Sequence, residues 1–486
     1  MNINLTELPF EPLTAVLVMP AAAAALLALL PGYWIAARVN VLAAFATLLA
    51  ALFLLIERPP PGPYLFVDDL SIVFVVLSTF VGFTTSVFSA SYIGHELAIG
   101  RLTPKYLRFY HVMYQILMFA MNLGLTANNI GLMWVAIELA TLTTVLMVGI
   151  YRTHEALEAA WKYFILGSVG IALALFGTIL VYMAARPVLG EGQDAMVWTA
   201  LVEKASGFAP DLLNVAFVFL MLGYGTKVGL APLHAWLPDA HAEGPTPISA
   251  VLSGLLLNVA LYALLRFKIL LTANAAAYAP GPLMMTLGLM SLIFAGFMLY
   301  RRRDIKRMFA YSSIEHMGLI TFAFGMGGSL ANFAGLLHMS MHSLTKSAIF
   351  YSVGHISQTK GTQKMSEIRG LTESHPMLGW GLVLGVVAIA GLPPLGIFMS
   401  EFLIVTSTFA RRPFLAVLVV FGLLVAFGAL LLRLNEVAFG EPIGKSSPVK
   451  ASYVPLYAHL GLVLGAGIHL PAPLVAWFQT VARLLG

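Results

Sequence analysis

LLHMSMHSLTKSAIFYSVG, residues 336–354, carries three ionisable side chains, His338, His342 and Lys346, in an otherwise apolar run. Steps of four residues drift only about 40° around an α-helix, so the three share one face over roughly 12 Å of helix axis. Their neighbours Phe333, Leu336, Leu337, Leu344, Ile349 and Phe350 suit a bilayer. A charge at mid-membrane costs roughly 2.5–3.5 kcal/mol on insertion scales, so such a row marks a functional site by default. A proton or ion wire is the first reading.

Composition agrees with the membrane setting. Of 486 residues, 59% are hydrophobic and 10% charged, against about 25% charged in a soluble domain. The chain is therefore expected to be an all-α polytopic membrane protein. The net charge of +5 resides in short loops between apolar spans and gives no reason to expect nucleic acid. The absence of cysteine excludes cysteine-held iron–sulfur clusters, cysteine-held zinc and disulfides on this chain. Glu7, Glu11 and the lack of a basic residue make the N-terminus unlike a cleaved secretory signal.

Apolar runs between polar breaks predict about fourteen membrane helices, near 13–30, 34–56, 67–92, 109–127, 129–150, 157–184, 212–240, 247–271, 282–300, 305–326, 329–353, 377–409, 414–439 and 452–480. The polar stretches between them are too short for a soluble domain, so residues 1–486 read as one membrane domain. Basic residues set the orientation. Arg301, Arg302, Arg303, Lys306 and Arg307 fall in one loop, and Arg101, Lys105, Arg108, Lys360, Lys364, Arg369, Arg433, Lys445 and Lys450 fall in loops on the same side. The positive-inside rule then places both termini on the non-cytoplasmic side.

Two spans are interrupted. Residues 217–241 read FVFLMLGYGTKVGLAPLHAWLPDAH, with glycines and Pro232 around Lys227. Residues 386–405 read VVAIAGLPPLGIFMSEFLIV, with Gly391, Pro393 and Pro394 before Glu401. These broken helices, 7 and 12, lie five spans apart. Such a pattern points to inverted repeats around a transport pathway, here helices 4–8 (107–271) and 9–13 (282–439), flanked by helices 1–3 and 14. Glu138 sits mid-span in IGLMWVAIELATLTTVLMVGI, and Glu315 and His316 lie early in helix 10. Together these carboxylates, lysines and histidines suit successive proton hops.

Each residue also has a plainer reading. His338 and His342 would serve equally to hydrogen-bond across a helix interface, and Lys227, Glu401 and Glu138 to form structural ion pairs or packing contacts. Lys162 sits where it can snorkel to the interface. His234, Asp239, His241 and Glu243 lie in a connecting segment and are expected to be solvated or to cap helices. No metal site is expected.

The segment GTKVGLAPLHAWLPDAHAEGPTPISAVLSG (225–254) resembles a signature of the antiporter-like subunits shared by respiratory complex I, Mrp cation/proton antiporters and membrane-bound hydrogenases. DIKRMFAYSSIEHMG (304–318), the HxxxHxxxK row and GLPPLGIFMSEF (391–402) match further signatures. The resemblance spans roughly 65–440. It implies a fourteen-helix core with two inverted five-helix repeats and a central polar axis. By motif, Glu138 and Lys227 form a coupled pair, His316, His338, His342 and Lys346 connect the axis, and Glu401 ends it. Lys162 is an accessory position.

Asn258, in GLLLNVALYALLRF (254–267), departs from the pattern, since many complex I members carry lysine there. Glu315 stands where that pattern usually has a small polar residue. The chain ends after helix 14, without the long lateral helix of the largest complex I antiporter-like subunit. These features are most similar to the component F type of hydrogenase-4 and formate hydrogenlyase-like complexes. The resemblance implies a non-catalytic, proton-translocating subunit of a membrane-bound oxidoreductase in the prokaryotic cytoplasmic (inner) membrane, with no cofactor of its own. Its partners would be other membrane subunits and peripheral iron–sulfur and [NiFe] hydrogenase-like subunits. A complex I subunit, an Mrp-type Na+/H+ antiporter subunit and a transport-inactive hydrogenase anchor are the competing readings.

Overall fold

In hydrocarbon every backbone N–H and C=O has to be satisfied within its own segment, which for a sequence this apolar leaves helices. The structure, a computed structural model, describes residues 11–30, 32–444 and 446–486. Glu7 and Lys445, used in the sequence reading, lie outside the described residues. The helices run, in chain order, α1 Pro12–Leu29, α2 Tyr33–Phe53, α3 Asp69–Ala98, α4 Pro104–Thr126, α5 Ile130–Val148, α6 His154–Leu189 and α7 Trp198–Lys204. They continue as α8 Pro210–Val228, α9 Leu237–Glu243, α10 Thr246–Val251, α11 Leu257–Thr272, α12 Gly281–Arg301, α13 Ile305–Met326 and α14 Ser329–Lys360. The last are α15 Leu371–Ser374, α16 Pro376–Ile389, α17 Gly396–Arg411, α18 Pro413–Ala438, α19 Val454–Ile468 and α20 Ala472–Leu484.

Side chains start these helices where the sequence supplies a cap. Thr103, Thr153 and Asp304 accept backbone N–H groups at the starts of α4, α6 and α13, and Asn129 accepts two at the start of α5. Asp68 and Ser71 cap each other at α3. Each such cap is worth about 1 kcal/mol.

Among the described residues, nine helical segments are long and apolar enough to cross a membrane, and α19 with α20 would add one bent span. The fourteen spans expected from sequence include α13 and α14, which fall outside this set. Their polarity explains it: they carry Glu315, His316, His338, His342 and Lys346, all buried. Lipid-facing surface falls instead to outer helices such as α2, α6 and α18, where Trp34, Phe45, Trp161, Val169, Phe414 and Leu424 point outward. A polar helix can sit at membrane depth only when others surround it. Accordingly, α14 packs among α3, α10, α13, α16, α17, α19 and α20.

Both predicted interruptions are present. α8 stops at Val228 and the chain runs irregularly through 229–236 to α9, while α16 stops at Ile389 and α17 begins at Gly396. At the first break, Leu230 N–H donates to Gly225 O at 3.0 Å and the Trp236 indole donates to Thr226 O at 2.8 Å, satisfying carbonyls that α8 leaves open.

Two expected continuous spans differ. The eighth contains a π-helical turn at Leu252–Leu256 between α10 and α11. The last bends by 83° between α19 and α20. Pro471 at this bend accounts for it, since proline disfavours helical geometry in the residue before it and cannot continue the helical ladder.

α6 and α8 pack backbone to backbone. A Cβ at Gly223 would lie 2.6 Å from Gly170 O and 2.7 Å from Ala174 Cβ, and one at Gly177 would lie 2.9 Å from Ala216 O. Small residues are what permit such closeness between membrane helices.

Candidate functional site

The buried polar residues expected from sequence to form the axis centre on two groups. The first joins α5, α6 and α8. Lys227 lies in the last turn of α8, where helix C-terminal carbonyls favour a cation. Its ammonium donates to Thr141 Oγ1 at 2.8 Å and lies 3.9 Å from Glu138 Oε2. Lys227 is 1% exposed and the Glu138 side chain 19%, so the carboxylate is the more accessible partner. A Cβ at Gly167 would stand 2.8 Å from Lys227 Nζ, so the missing side chain makes the amine's space. Tyr163 closes the pocket, stacked on Trp236 at 4.2 Å and hydrogen-bonded to Thr144 at 2.8 Å.

The second group joins α13, α14 and α17. His316 Nε2 lies 3.1 Å from Glu315 Oε2, and His316 Nδ1 lies 3.0 Å from His338 Nε2. His338 Nδ1 in turn meets Ser400 Oγ at 2.9 Å. Three side chains thus form a hydrogen-bonded series, His316–His338–Ser400, with the Glu315 carboxylate in ion-pair range of His316 Nε2 but not hydrogen-bonded to it. Imidazole accepts on one nitrogen and donates from the other, so this geometry suits proton relay. Glu401 follows Ser400 and stands within 4.8 Å of the two histidines by ligand atoms. A cavity of about 280 Å³ opens beside Glu315, His316, Gly391 and Glu401. Gly391, with φ +70°, presses its Cα against the Glu401 carboxylate, where any Cβ would collide with Oε2.

His342 and Lys346 continue along α14. The His342 ring centroid lies 5.5 Å from that of His316, and neither His342 nitrogen has a hydrogen-bond partner among the described residues. Lys346 donates to Phe309 O at 2.5 Å and sits over the Phe309 and Phe350 rings. Asn258 lies just past the π-turn. Its amide donates to Gly254 O at 3.0 Å and to Ser343 Oγ at 2.6 Å. It thereby takes up a carbonyl of the widened turn and links that turn to α14.

Lys162 stands apart from both groups. It is exposed and pairs with Glu158 at 2.6 Å and Asp239 at 3.2 Å. Arg307 joins the same surface cluster through Asp239 and Glu243.

Of the expectation that His234 and His241 are solvated or cap helices, the solvated alternative is incorrect. Both are buried, and His241 stacks on Phe350 at 4.9 Å, beside the ring that Lys346 covers. The connecting segment folds inward instead of looping out. Lys306, assigned to a loop from sequence, is also buried: it donates to Ala242 O at 3.1 Å and Gly244 O at 2.6 Å, capping the end of α9. Arg266, within the predicted span 247–271, is 3% exposed and bidentate to Asp68, both bonds at 2.7 Å. Spacing alone could not reveal these partners, because each is distant in sequence.

Comparison with known proteins agrees with this architecture. Residues 127–427 match the family described as NADH:quinone oxidoreductase/Mrp antiporter, TM. Over 471 residues the chain is 62% identical to the hydrogenase-4 component F homolog of Methylacidiphilum infernorum (isolate V4), covering 97% of this chain and 99% of that protein. The fold is similar to a chain of the membrane-bound sulfane sulfur reductase, an archaeal respiratory membrane complex, with a TM-score of 0.87, 23% identity and 98% of each chain covered. It is also similar to a chain of the Mrp complex from Dietzia sp. DQ12-45-1b, with a TM-score of 0.83, 16% identity and 98% of each chain covered. The chain is an antiporter-like membrane subunit and belongs to the NADH:quinone oxidoreductase/Mrp antiporter transmembrane family.

Proposed function

We propose that this subunit moves protons along its buried polar groups, driven by electron transfer in partner subunits of a hydrogenase-4-type [NiFe] hydrogenase complex. The observation that carries the reading is the hydrogen-bonded series His316–His338–Ser400, whose His316 end, with Glu315 in ion-pair range, lines the cavity beside Glu401. The Glu138–Lys227 pair supplies a second titratable unit, whose 3.9 Å separation leaves it free to tighten or open. Charge changes in a partner would bias this pair. Protons would then pass by way of Lys346, His342, His338 and His316 to Glu401, with Asn258 holding α14 at the place where relatives use lysine.

In this reading the chain forms fourteen membrane helices in two inverted five-helix repeats, with both termini on the non-cytoplasmic side. The subunit itself is non-catalytic and holds no redox cofactor. Its partners are membrane subunits and peripheral iron–sulfur and [NiFe] hydrogenase-like subunits.

Replacing Glu138 with Gln tests the proposal. The assembled complex in vesicles should retain electron transfer and lose coupled proton movement. Unchanged pumping overturns the assignment. Transport that requires sodium would favour an Mrp-type role, and wild-type turnover without proton movement would favour a membrane anchor.

A further inference from the structure

Three groups from three helices meet beside the cavity that His316 and Glu401 line. His316 comes from α13, His338 from α14 and Glu401 from α17, and one ligand atom of each lies within 4.8 Å of the others. We infer that these residues form a binding site for a divalent ion of the zinc type, held by two imidazoles and one carboxylate.

Four features support the site. A tetrahedral zinc ion with bonds near 2.0–2.1 Å keeps its ligand atoms roughly 3.3 Å apart. His316 Nδ1 and His338 Nε2 already stand 3.0 Å apart. Of the other two ring nitrogens, His338 Nδ1 is hydrogen-bonded to Ser400 at 2.9 Å, and His316 Nε2 has the Glu315 carboxylate 3.1 Å away, near enough to become its partner by a small side-chain rotation. Metal-binding histidines characteristically carry such outer partners, which fix ring orientation and strengthen the ligand.

The cavity of about 280 Å³ beside Glu401 gives an ion a route in and room for a water as fourth ligand. Finally, two nitrogens with one oxygen form the donor set of open zinc centres, whereas magnesium and calcium favour oxygen alone. The residues come from three separate helices, so no sequence spacing announces the site.

The ion would occupy the space between the two rings where the relay hydrogen bond now runs. Binding does not depend on the proton-transport reading, but a block of transport would. Because the ligands must be deprotonated, binding releases protons and weakens as pH falls.

Cobalt(II), a visible-absorbing substitute for zinc, provides the test. The full-length protein in lipid nanodiscs, titrated with cobalt(II), should bind one ion per chain at this site and develop visible absorption that zinc removes. His338→Asn and Glu401→Gln should each abolish that absorption. Glu315→Gln keeps the three ligands and should weaken binding by about 10–100-fold, as expected for an outer partner. His355→Asn, at a buried histidine outside the site, should leave the spectrum unchanged. Thermal unfolding of each variant without metal identifies any that fails to fold, and the remaining variants then carry the comparison.

Absorption that persists in folded His338→Asn or Glu401→Gln protein overturns the proposal, as does its absence from the unmodified protein. Zinc binding that leaves proton movement intact would support the metal site while refuting the relay through His316 and His338.

Discussion

Gly167→Ala tests the Glu138–Lys227 pair without removing either charge. The added methyl would stand 2.8 Å from Lys227 Nζ and 3.5 Å from Thr141 Cγ2, so the ammonium has to move. At the observed 3.9 Å, the attraction to Glu138 is about 4 kcal/mol with an effective dielectric of 20. Moving Nζ by about 1 Å in either direction changes this by about 1 kcal/mol. Losing the 2.8 Å bond to Thr141 adds about 1.5–3 kcal/mol, the range for a charged donor.

A total near 3 kcal/mol corresponds to roughly a hundredfold change in the balance of the pair. The helix itself gains, because alanine is favoured over glycine in a helix interior by roughly 0.5–1 kcal/mol. The complex should therefore assemble normally while proton uptake by vesicles, followed with a pH-sensitive dye during electron transfer, falls at least about tenfold. In a Glu138→Gln background the same substitution should add little. Wild-type uptake in Gly167→Ala, or full multiplication of the two effects, would refute the reasoning.

Three further substitutions separate transport from stability. Gly391→Ala puts a methyl into the Glu401 carboxylate at φ +70°, a backbone cost of about 1–2 kcal/mol; proton uptake should drop, measured per assembled complex. Asp68→Asn strips a buried arginine of its bidentate partner and should destabilise the protein by about 3–5 kcal/mol, visible as a lowered unfolding temperature in detergent. Lys162→Ala removes one exposed member of a surface ion cluster, worth about 0–1 kcal/mol, and uptake should stay at the wild-type rate.

Much of the architecture could be read from sequence because its signals are local. The breaks are marked by proline and glycine beside Lys227 and before Glu401. The common face of His338, His342 and Lys346 follows from helix periodicity alone. The same periodicity could not show that His338 reaches Ser400, 62 residues away, or that Arg266 meets Asp68, 198 residues away. Lys306 and His241 were misplaced for a related reason. A charged or aromatic-polar residue in a connecting segment resembles a solvated one until the segment is seen folded against the bundle. The π-turn beside Asn258 has no sequence mark of its own; its Gly254 packs against Ser343 and Ser347 of α14, a contact that only the fold brings about.

The backbone contact between α6 and α8 has a mechanical consequence. With Gly223 against Gly170 and Ala174, and Gly177 against Ala216 and Leu220, the backbones of the two helices come into near contact at these positions. Sliding one past the other would drive Cβ atoms into backbone, so they move as one stiff beam. Lys227 rides on one helix of that beam, and the glycine that makes its space belongs to the other. Any stroke that changes the distance to Glu138 therefore comes from lysine side-chain rotation or from α5 shifting against the pair. Strain in this half of the subunit is delivered at the tip of the amine, across a gap of 3.9 Å, and not dispersed along the helix that bears it.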